Sequence, residues 1–339
     1  MTNAPIRTGV VLASVLSATT FAYADNGWGH RDAITATTSE INQNTSNDKS
    51  EVANFGTITG SGDVGTGASA GVSATGAVSS VSVSNVAIKS EPISVKIEHI
   101  TQTSTNTDSP ITNYAVIDMR SYGAAGGLTG DGASAAASAT GAAASIGFSN
   151  IDSHAGFSDS IGHHGRRETS AINQTATNWA SAIGNYGDIT VGSLSGDASS
   201  VTISAAGAVA TLSFSNVDSS ATKIAVGDIT QRATNGASSI YNHGAINVGD
   251  LTGTGASASI GATGAASSVS VGNIKSPIGN VALGDITQTT KNLHSTVTNI
   301  GAITLGSLAG TGASASISAV GAASVVSFSN IGAAGHVSR

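Results

Sequence analysis

The sequence predicts an all-β protein, either a β-solenoid or a related stacked-sheet array, built from five tandem units. Three observations predict it: amide residues at a fixed spacing, alternating apolar and polar residues, and a composition unsuited to a conventional core. Among 339 residues, 43 are Gly, none is Cys and 4% are aromatic. Burying Ala contributes little, so backbone hydrogen bonds and close stacking of small side chains must stabilise the chain. A charged fraction of only 10%, with many Val, Ile and Thr residues, argues against disorder.

Each unit carries three amide landmarks. A Gln in Ile-x-Gln comes first, an Asn follows 11 positions later, and a last Asn follows 31 positions after that, or 37 in the second unit. The second unit therefore holds six extra residues, and the last three units repeat with a period of 57. The landmarks are Gln43, Gln102, Gln174, Gln231 and Gln288, then Asn54, Asn113, Asn185, Asn242 and Asn299, then Asn85, Asn150, Asn216, Asn273 and Asn330.

The residue two positions before every landmark is Ile, Val or Phe. Because a strand alternates faces with period two, each amide shares its face with an apolar residue and is predicted to point inward. A buried amide is costly without partners, and a stack of identical amides supplies them, so we predict amide ladders. The alternative is that the Asn residues only form turns, as Asn185-Tyr186-Gly187 suggests. That alternative does not explain Gln.

The remaining residues predict about four short strands per unit. In the last unit Ala315, Ile317 and Ala319 alternate with Ser, and Gly321 interrupts the run. The Ala-rich residues 133–144 could favour a helix, but equivalent stretches carry Val201-Thr202-Ile203 and a Gly interrupts every copy. A five-bladed β-propeller is the alternative architecture, although its blades usually have larger side chains in their cores.

The N-terminus predicts export through the secretory (Sec) pathway. Arg7 precedes an apolar run at residues 9–21 that is too short to span a membrane, and Ala22-Tyr23-Ala24 is typical of a cleavage site. No later stretch is predicted to cross a bilayer. The predicted divisions are a signal peptide at 1–24, a flexible N-terminal segment at 25–40, the repeat region at 41–331 and a C-terminal tail at 332–339. Within the repeat region the units span approximately 41–92, 93–168, 169–222, 223–280 and 281–331.

The charged residues argue against several functions. The net charge of −7 becomes −8 without Arg7, and no basic run occurs, so no nucleic-acid partner is predicted. No catalytic constellation stands out among the many serines, so the protein is predicted not to be an enzyme.

Two groups of residues raise the question of metals. The first is a set of carboxylates near Gly-rich loops: Asp63, Asp131, Asp188, Asp197, Asp228, Asp250 and Asp285. Calcium is the alternative to solvated turns there, but each loop offers about one carboxylate. The second is the insertion at residues 157–167, where His163 and His164 neighbour Arg166 and Arg167 and predict a solvated loop. No cofactor is predicted.

Sec export, the absence of cysteine and tandem units with fixed Gln and Asn positions resemble secreted bacterial functional amyloids, such as curli and the Fap fibres of pseudomonads. The Gln43, Asn54 and Asn85 series match the inward ladder residues of curli subunits, although the curli repeat is much shorter. The resemblance implies a self-assembling extracellular fibre in biofilm matrix or surface attachment, with a nucleator or an outer-membrane secretion pore as further partners. The alternatives are a repeat-stalk adhesin that binds through the insertion and, less favoured, a polysaccharide-active β-helix enzyme.

Overall fold

The structure is a computed structural model, and it describes residues 34–38, 40–59, 69–86, 93–97, 99–114, 116–119, 127–128, 134–151, 155–159, 171–194, 200–217, 221–251, 256–274, 278–308, 313–331 and 335–338. Within these ranges every regular element is a β-strand. The chain passes through the same five sheets in the same order, again and again. We call each such pass a coil, and each coil adds a strand to every sheet.

Three sheets contain the amide landmarks. The Gln sheet contains β2 (Ile41–Asp48), β7 (Ile100–Thr107), β13 (Ala171–Trp179), β18 (Asp228–Gly236) and β23 (Ile286–Leu293). The short sheet contains β3 (Val52–Asn54), β8 (Ile111–Asn113), β14 (Ile183–Asn185), β19 (Ile240–Asn242) and β24 (Val297–Asn299). The long sheet contains β5 (Ser69–Val86), β11 (Ser134–Ile151), β16 (Ser200–Val217), β21 (Ser257–Ile274) and β26 (Ser314–Ile331).

Two further sheets complete each coil. The third sheet lies between the short and long sheets in chain order and contains β4 (Thr57–Thr59), β9 (Val116–Met119), β10 (Gly127–Leu128), β15 (Ile189–Leu194), β20 (Ala245–Leu251) and β25 (Ala302–Leu308). The closing sheet contains β1 (Ile34–Thr38), β6 (Ile93–Ile97), β12 (Ala155–Asp159), β17 (Ala221–Val226), β22 (Ile278–Leu283) and β27 (Gly335–Ser338).

All of these strands pair in parallel, and equivalent residues of successive units lie side by side. Gln102 pairs with Gln43 and Gln174, for example. Neighbouring strands lie about 4.8 Å apart, so each landmark becomes a column along the solenoid axis. The β-solenoid prediction is confirmed. A propeller is excluded because its blades are separate sheets around a channel, whereas these sheets run continuously through all five units.

The extra length of the second unit falls at two places. Met119 pairs with Val191 and Gly127 with Ser193, so the six extra residues lie between β9 and β10. From Ile151 to Ala171 the chain takes 20 residues, where the next coil takes 11 between their partners, Val217 and Asp228. The insertion expected at residues 157–167 therefore follows the long strand. Its residues 160–167 lie outside the described ranges.

The core is thin and consists of columns. Ile117, Ile189 and Ile246 of the third sheet pack against the long sheet, and Ile111, Ile183 and Ile240 of the short sheet form a second cluster with inward Ala residues. The inward face of the Gln strands carries buried Ile residues such as Ile172, and between the Gln and long sheets buried Ala residues form a third cluster. These small side chains let the two sheets approach closely enough for a Gln side chain to reach across.

Four details differ from expectation. Four coils have five strands and the second has six, rather than about four, and the long strand has 18 residues because it continues through the Gly that was expected to interrupt it. The segment expected to be flexible contains β1, which pairs with β6. The expected C-terminal tail contains β27, which pairs with β22. The closing strands have little common sequence pattern, which is why sequence reasoning missed this sheet.

Candidate functional site

The Gln landmarks form a continuous hydrogen-bonded column inside the solenoid. Gln102 Nε2 donates to Gln43 Oε1 at 2.9 Å, and the same bond recurs from Gln174, Gln231 and Gln288 to the preceding Gln at 3.1, 2.8 and 2.8 Å. Gln102 and Gln231 are fully buried. Every bond in this Gln ladder therefore points towards the N-terminal coil.

Each Gln also bridges two sheets. The Nε2 atom donates to a long-strand carbonyl of its own coil, as from Gln102 to Ser145 at 3.1 Å and from Gln174 to Thr211 at 2.8 Å. Gln43, Gln231 and Gln288 make the equivalent bonds to Ser80, Ser268 and Val325. Two donor hydrogens and one acceptor oxygen are thus satisfied in the inner coils, which removes most of the cost of burying the amide.

A second ladder lies four residues after each Gln, and sequence reasoning missed it. Asn47, Asn106, Asn178 and Asn235 each donate from Nδ2 to Oδ1 of the Asn in the following coil, ending at Asn292, at 2.8 Å in all four cases. This Asn ladder therefore points towards the C-terminal coil, opposite to the Gln ladder. The sequence does contain a signal for this ladder, because all five units have an Asn four residues after the Gln. An even spacing in a strand places the two side chains on the same face.

A serine column completes the corner after the Gln strand. The second Nδ2 hydrogen of each ladder Asn bonds the carbonyl of the Ser three positions later, as from Asn178 to Ser181 at 3.0 Å. That Ser hydroxyl accepts from the Ser backbone N–H of the preceding coil, as Ser181 does from Ser109 at 2.9 Å. The residue before each Ser has a left-handed backbone with φ of 48–50°, at Lys49, Asp108, Ala180, Ala237 and His294. Asn and Ser thus fix a sharp turn in every coil.

A glycine column makes room for the Asn ladder. A Cβ atom on Gly76 would lie 2.5 Å from Asn106 Oδ1 of the next coil, and one on Gly141 would overlap Asn178 Oδ1. Gly207 and Gly264 have the same relation to Asn235 and Asn292. The glycine landmark that recurs in every unit is therefore explained by the approach of an amide to the long strand.

The middle Asn series combines the ladder and turn predictions. Asn113 Nδ2 donates to Asn185 Oδ1 at 3.1 Å, and Asn54, Asn185, Asn242 and Asn299 donate instead to long-strand carbonyls. Asn54, Asn185 and Asn299 accept from the Gly N–H two residues later, as a turn-forming Asn does. Asn242 Oδ1 is buried without a hydrogen-bond partner. Asn54, Asn185 and Asn299 therefore both bond the long strand and shape a turn.

The last Asn series is aligned in the backbone only. Asn85, Asn150, Asn216, Asn273 and Asn330 pair in register across the long sheet. Their side chains lie outside what the structure describes.

The two end coils differ in exposure. In the first coil Ile41 and Gln43 are buried, whereas Val52 and Ile58 are partly exposed. In the last coil Ile317 is 50% exposed and Val326 is 43% exposed, and Gln288 is only partly buried. The last coil therefore presents an open face of strand edges, apolar side chains and ladder amides.

An aromatic column runs along one outer edge, directly after the middle Asn residues. Phe55, Tyr114, Tyr186 and His243 stack in sequence with ring centroids 5.0–5.1 Å apart. Phe55 is 71% exposed and Tyr114 is 45% exposed. Burial raises the pKa of Tyr186, and the phenols of Tyr114 and Tyr241 raise it further, so the Tyr186 ring is neutral at physiological pH.

Three of the Asp residues that the structure describes tie one coil to the next. Asp188 accepts from Ala245 N–H of the next coil, Asp228 accepts from Asp285 N–H, and Asp250 accepts from the Ser307 hydroxyl. In the described ranges no three His, Cys, Asp or Glu side chains converge. Asp63, Asp131, Asp197, His163, His164, Arg166 and Arg167 lie outside those ranges.

No helix among the described residues is long and apolar enough to cross a membrane. The chain matches no protein-family model, and comparison with curated proteins and with solved structures yields no significant similarity. The function is therefore inferred from the geometry of the ladders, the open face and the aromatic column.

Proposed function

We propose that this is a secreted structural protein whose copies self-assemble into an extracellular fibre, in a biofilm matrix or in surface attachment. The observation that carries the proposal is the pair of buried amide ladders, which run through every coil and end at the open face of the last coil. We further propose that the protein is not an enzyme and needs no cofactor.

The ladders indicate that the interior of the solenoid serves to stack identical coils. Each added coil contributes the same amide bonds and buries the face of the coil before it, so stability grows with the number of coils. A solenoid that ends in an open coil leaves these interactions unmade. A further coil of the same kind would supply them.

The exposed strand edges also favour assembly. Unpaired edges template pairing with other chains, and soluble proteins usually protect them with charges. The five 18-residue long strands contain no charged residue at all. Nothing in the long sheet therefore opposes the approach of another chain.

The secreted chain, purified and concentrated, is expected to form filaments visible by electron microscopy. Their X-ray pattern should contain a meridional reflection near ~4.7 Å, because the strands would run across the filament axis. A chain that stays monomeric over a wide range of concentration, salt and pH would contradict the proposal. Fragments that lack the last coil are unsuitable controls, because their new last coil would also be open.

A repeat-stalk adhesin is the second candidate, and the exposed aromatic column favours it. Replacing Tyr114 and Tyr186 by Ser should then weaken attachment to the target surface by roughly tenfold or more, since exposed rings contribute about 1 kcal/mol each. Thr175→Ser, on the outer face of the Gln sheet, is the matched control. Unchanged attachment by the double variant would remove this candidate.

A further inference from the structure

We propose that two copies of the chain pair through their last coils, with the two β23 strands antiparallel about a two-fold axis at Thr290. The inference goes beyond the proposed function, because this dimer can form whether or not fibres do. A fibre would be built from such dimers and would need a second contact between them.

The two ends of the solenoid differ in how well their inward side chains are covered. In the first coil Ala77 and Val81, on the inward face of the long strand, are each 2% exposed. Their equivalents in the last coil, Ala322 and Val326, are both exposed, Val326 by 43%. Among the described residues, the open end of a second copy is likewise its last coil. Two open faces therefore meet when two last coils meet.

The backbone of β23 is suited to antiparallel pairing across this face. Ala237 N–H donates to Leu293 O, so Leu293 and the other odd-numbered residues of β23 direct their backbone groups to the preceding coil. Because backbone groups alternate sides along a strand, those of Gln288, Thr290 and Asn292 point to the open side. A second copy turned over to face the first runs its strand antiparallel, and residues of this kind then exchange both backbone bonds with the residue opposite.

The side-chain amides fix the register of that pairing. Both Nε2 hydrogens of Gln288 are used within its own chain, so this residue offers the acceptor Oε1 to a second copy. Asn292 donates one Nδ2 hydrogen to the Ser295 carbonyl, and its other hydrogen bonds nothing in the described part of the chain. Placing Thr290 opposite Thr290 sets each Gln288 opposite Asn292 of the other copy, so that each Asn donates to a Gln.

The opposite directions of the two ladders make this face self-complementary. Gln231 Nε2 donates to the preceding coil and Asn235 Nδ2 donates to the following one, so the last coil ends in one acceptor and one donor. These groups lie two residues before and two residues after Thr290. Two ladders of the same direction would end in two acceptors or two donors, which could not pair across a two-fold axis.

The same axis brings uncharged and apolar surface together. Thr290 Oγ1 lies 3.1 Å from Ser324 Oγ, so the axis reaches the long strand near Ser324. Ala322 and Val326 lie on either side of Ser324, and each would pack on the other residue of the second copy. Lys291 is the only charged residue of β23, and it would face Thr289 rather than a second lysine.

Introduced cysteines can report this register directly, because the protein has no cysteine of its own. Thr289 and Lys291 of opposite copies would have Cα atoms about 4.5 Å apart, within disulfide range. The secreted chain carrying Thr289→Cys and Lys291→Cys together should give disulfide-linked dimers under mild oxidation, at least roughly tenfold more than either single variant. The single variants are the matched controls, because identical residues of the two copies would lie diagonally, about 7–8 Å apart.

Sedimentation of the secreted chain without cysteines provides a second measurement. The unmodified protein should sediment as a dimer. Thr290→Pro removes an N–H that only the second copy would use, and an edge strand tolerates Pro at such a position. Because each dimer loses two backbone bonds, this variant should raise the dissociation constant by roughly tenfold or more. Thr290→Val also lacks the hydroxyl but keeps the N–H, so it is the matched control and should remain dimeric, with circular dichroism of both variants reporting the fold.

Several outcomes would overturn the inference. Dimers of Thr289→Cys alone, as abundant as those of the double variant, would contradict the register, and a series of larger disulfide-linked multimers would contradict a closed pair. Sedimentation of the unmodified chain as a monomer would remove the dimer. Filaments without cross-linked dimers would overturn the inference and leave the proposed function standing, whereas cross-linked dimers without filaments would support the inference while the proposed function fails.

Discussion

Gln174→Glu is expected to lower the free energy of unfolding by about 3–5 kcal/mol at neutral pH, the range for an uncompensated buried charge. Gln174 lies in the middle coil and donates to Gln102 Oε1 and to the carbonyls of Ala144 and Thr211. A carboxylate at this place would face three acceptor oxygens with no hydrogen to offer. Only Gln231, which donates to Gln174 Oε1, would still find a suitable partner.

The loss of stability caused by Gln174→Glu should depend on pH in a defined direction. Burial and the surrounding oxygens would raise the pKa of the introduced carboxyl in the folded protein above its unfolded value of about 4.3. Below that value the carboxyl is protonated in both states and can still donate one hydrogen bond, so the deficit relative to the unmodified protein is smallest. As pH rises, the unfolded chain ionises first, and the deficit grows until pH passes the raised folded pKa.

Chemical denaturation at pH 4 and pH 7 would measure this effect. The control is Asn173→Asp, which places the same charge one residue away on the exposed face of the same strand. That control should change stability by no more than about 0.5 kcal/mol. Equal stabilities of Gln174→Glu and Asn173→Asp at pH 7 would contradict the importance of the buried Gln ladder.

The inward face of each unit could be predicted because its signal is periodic. An Ile two residues before each Gln fixed the direction of both side chains, and the equal spacing in all units fixed the stacking of Gln43 on Gln102. Asn106 obeys the same rule, four residues after Gln102, but the residue two positions before it is not Ile, Val or Phe. Ser104 occupies that position instead.

Other features have no signal of this kind. The direction in which an amide donates is invisible in sequence, because Gln and Asn each carry a donor and an acceptor. The continuous long strand was also hidden, since Gly141 looks like an interruption until Asn178 of the next coil is seen against it. The middle Asn residues could not be assigned to a ladder or a turn because Asn185 serves both purposes: it bonds Asn113 and also Gly187.

The requirement for glycine in the long strand leads to the second large effect. Gly141→Ala is expected to destabilise the protein by about 3 kcal/mol, from overpacking and from the loss of ladder hydrogen bonds. The added Cβ would overlap Asn178 Oδ1, which accepts from Asn106, and would lie 2.6 Å from the Gly207 carbonyl oxygen. Neither the backbone of β16 nor the Asn ladder can move without disturbing the next coil.

Gly147→Ala is the matched control, because it lies six residues further along the same strand, and its Cβ would be 3.6 Å from the nearest atom, Ser213 Oγ. This ordinary contact distance predicts a change of no more than about 0.5 kcal/mol, and Ala there could stabilise by restricting the unfolded chain. Denaturant midpoints of the two variants, measured together, separate the close contact at Gly141 from the general effect of replacing Gly by Ala in this strand. If Gly141→Ala were as stable as Gly147→Ala, the Asn ladder would not need the glycine column. Because that column recurs in every unit, a large loss at Gly141 would indicate that a buried amide sets the closest approach between successive coils.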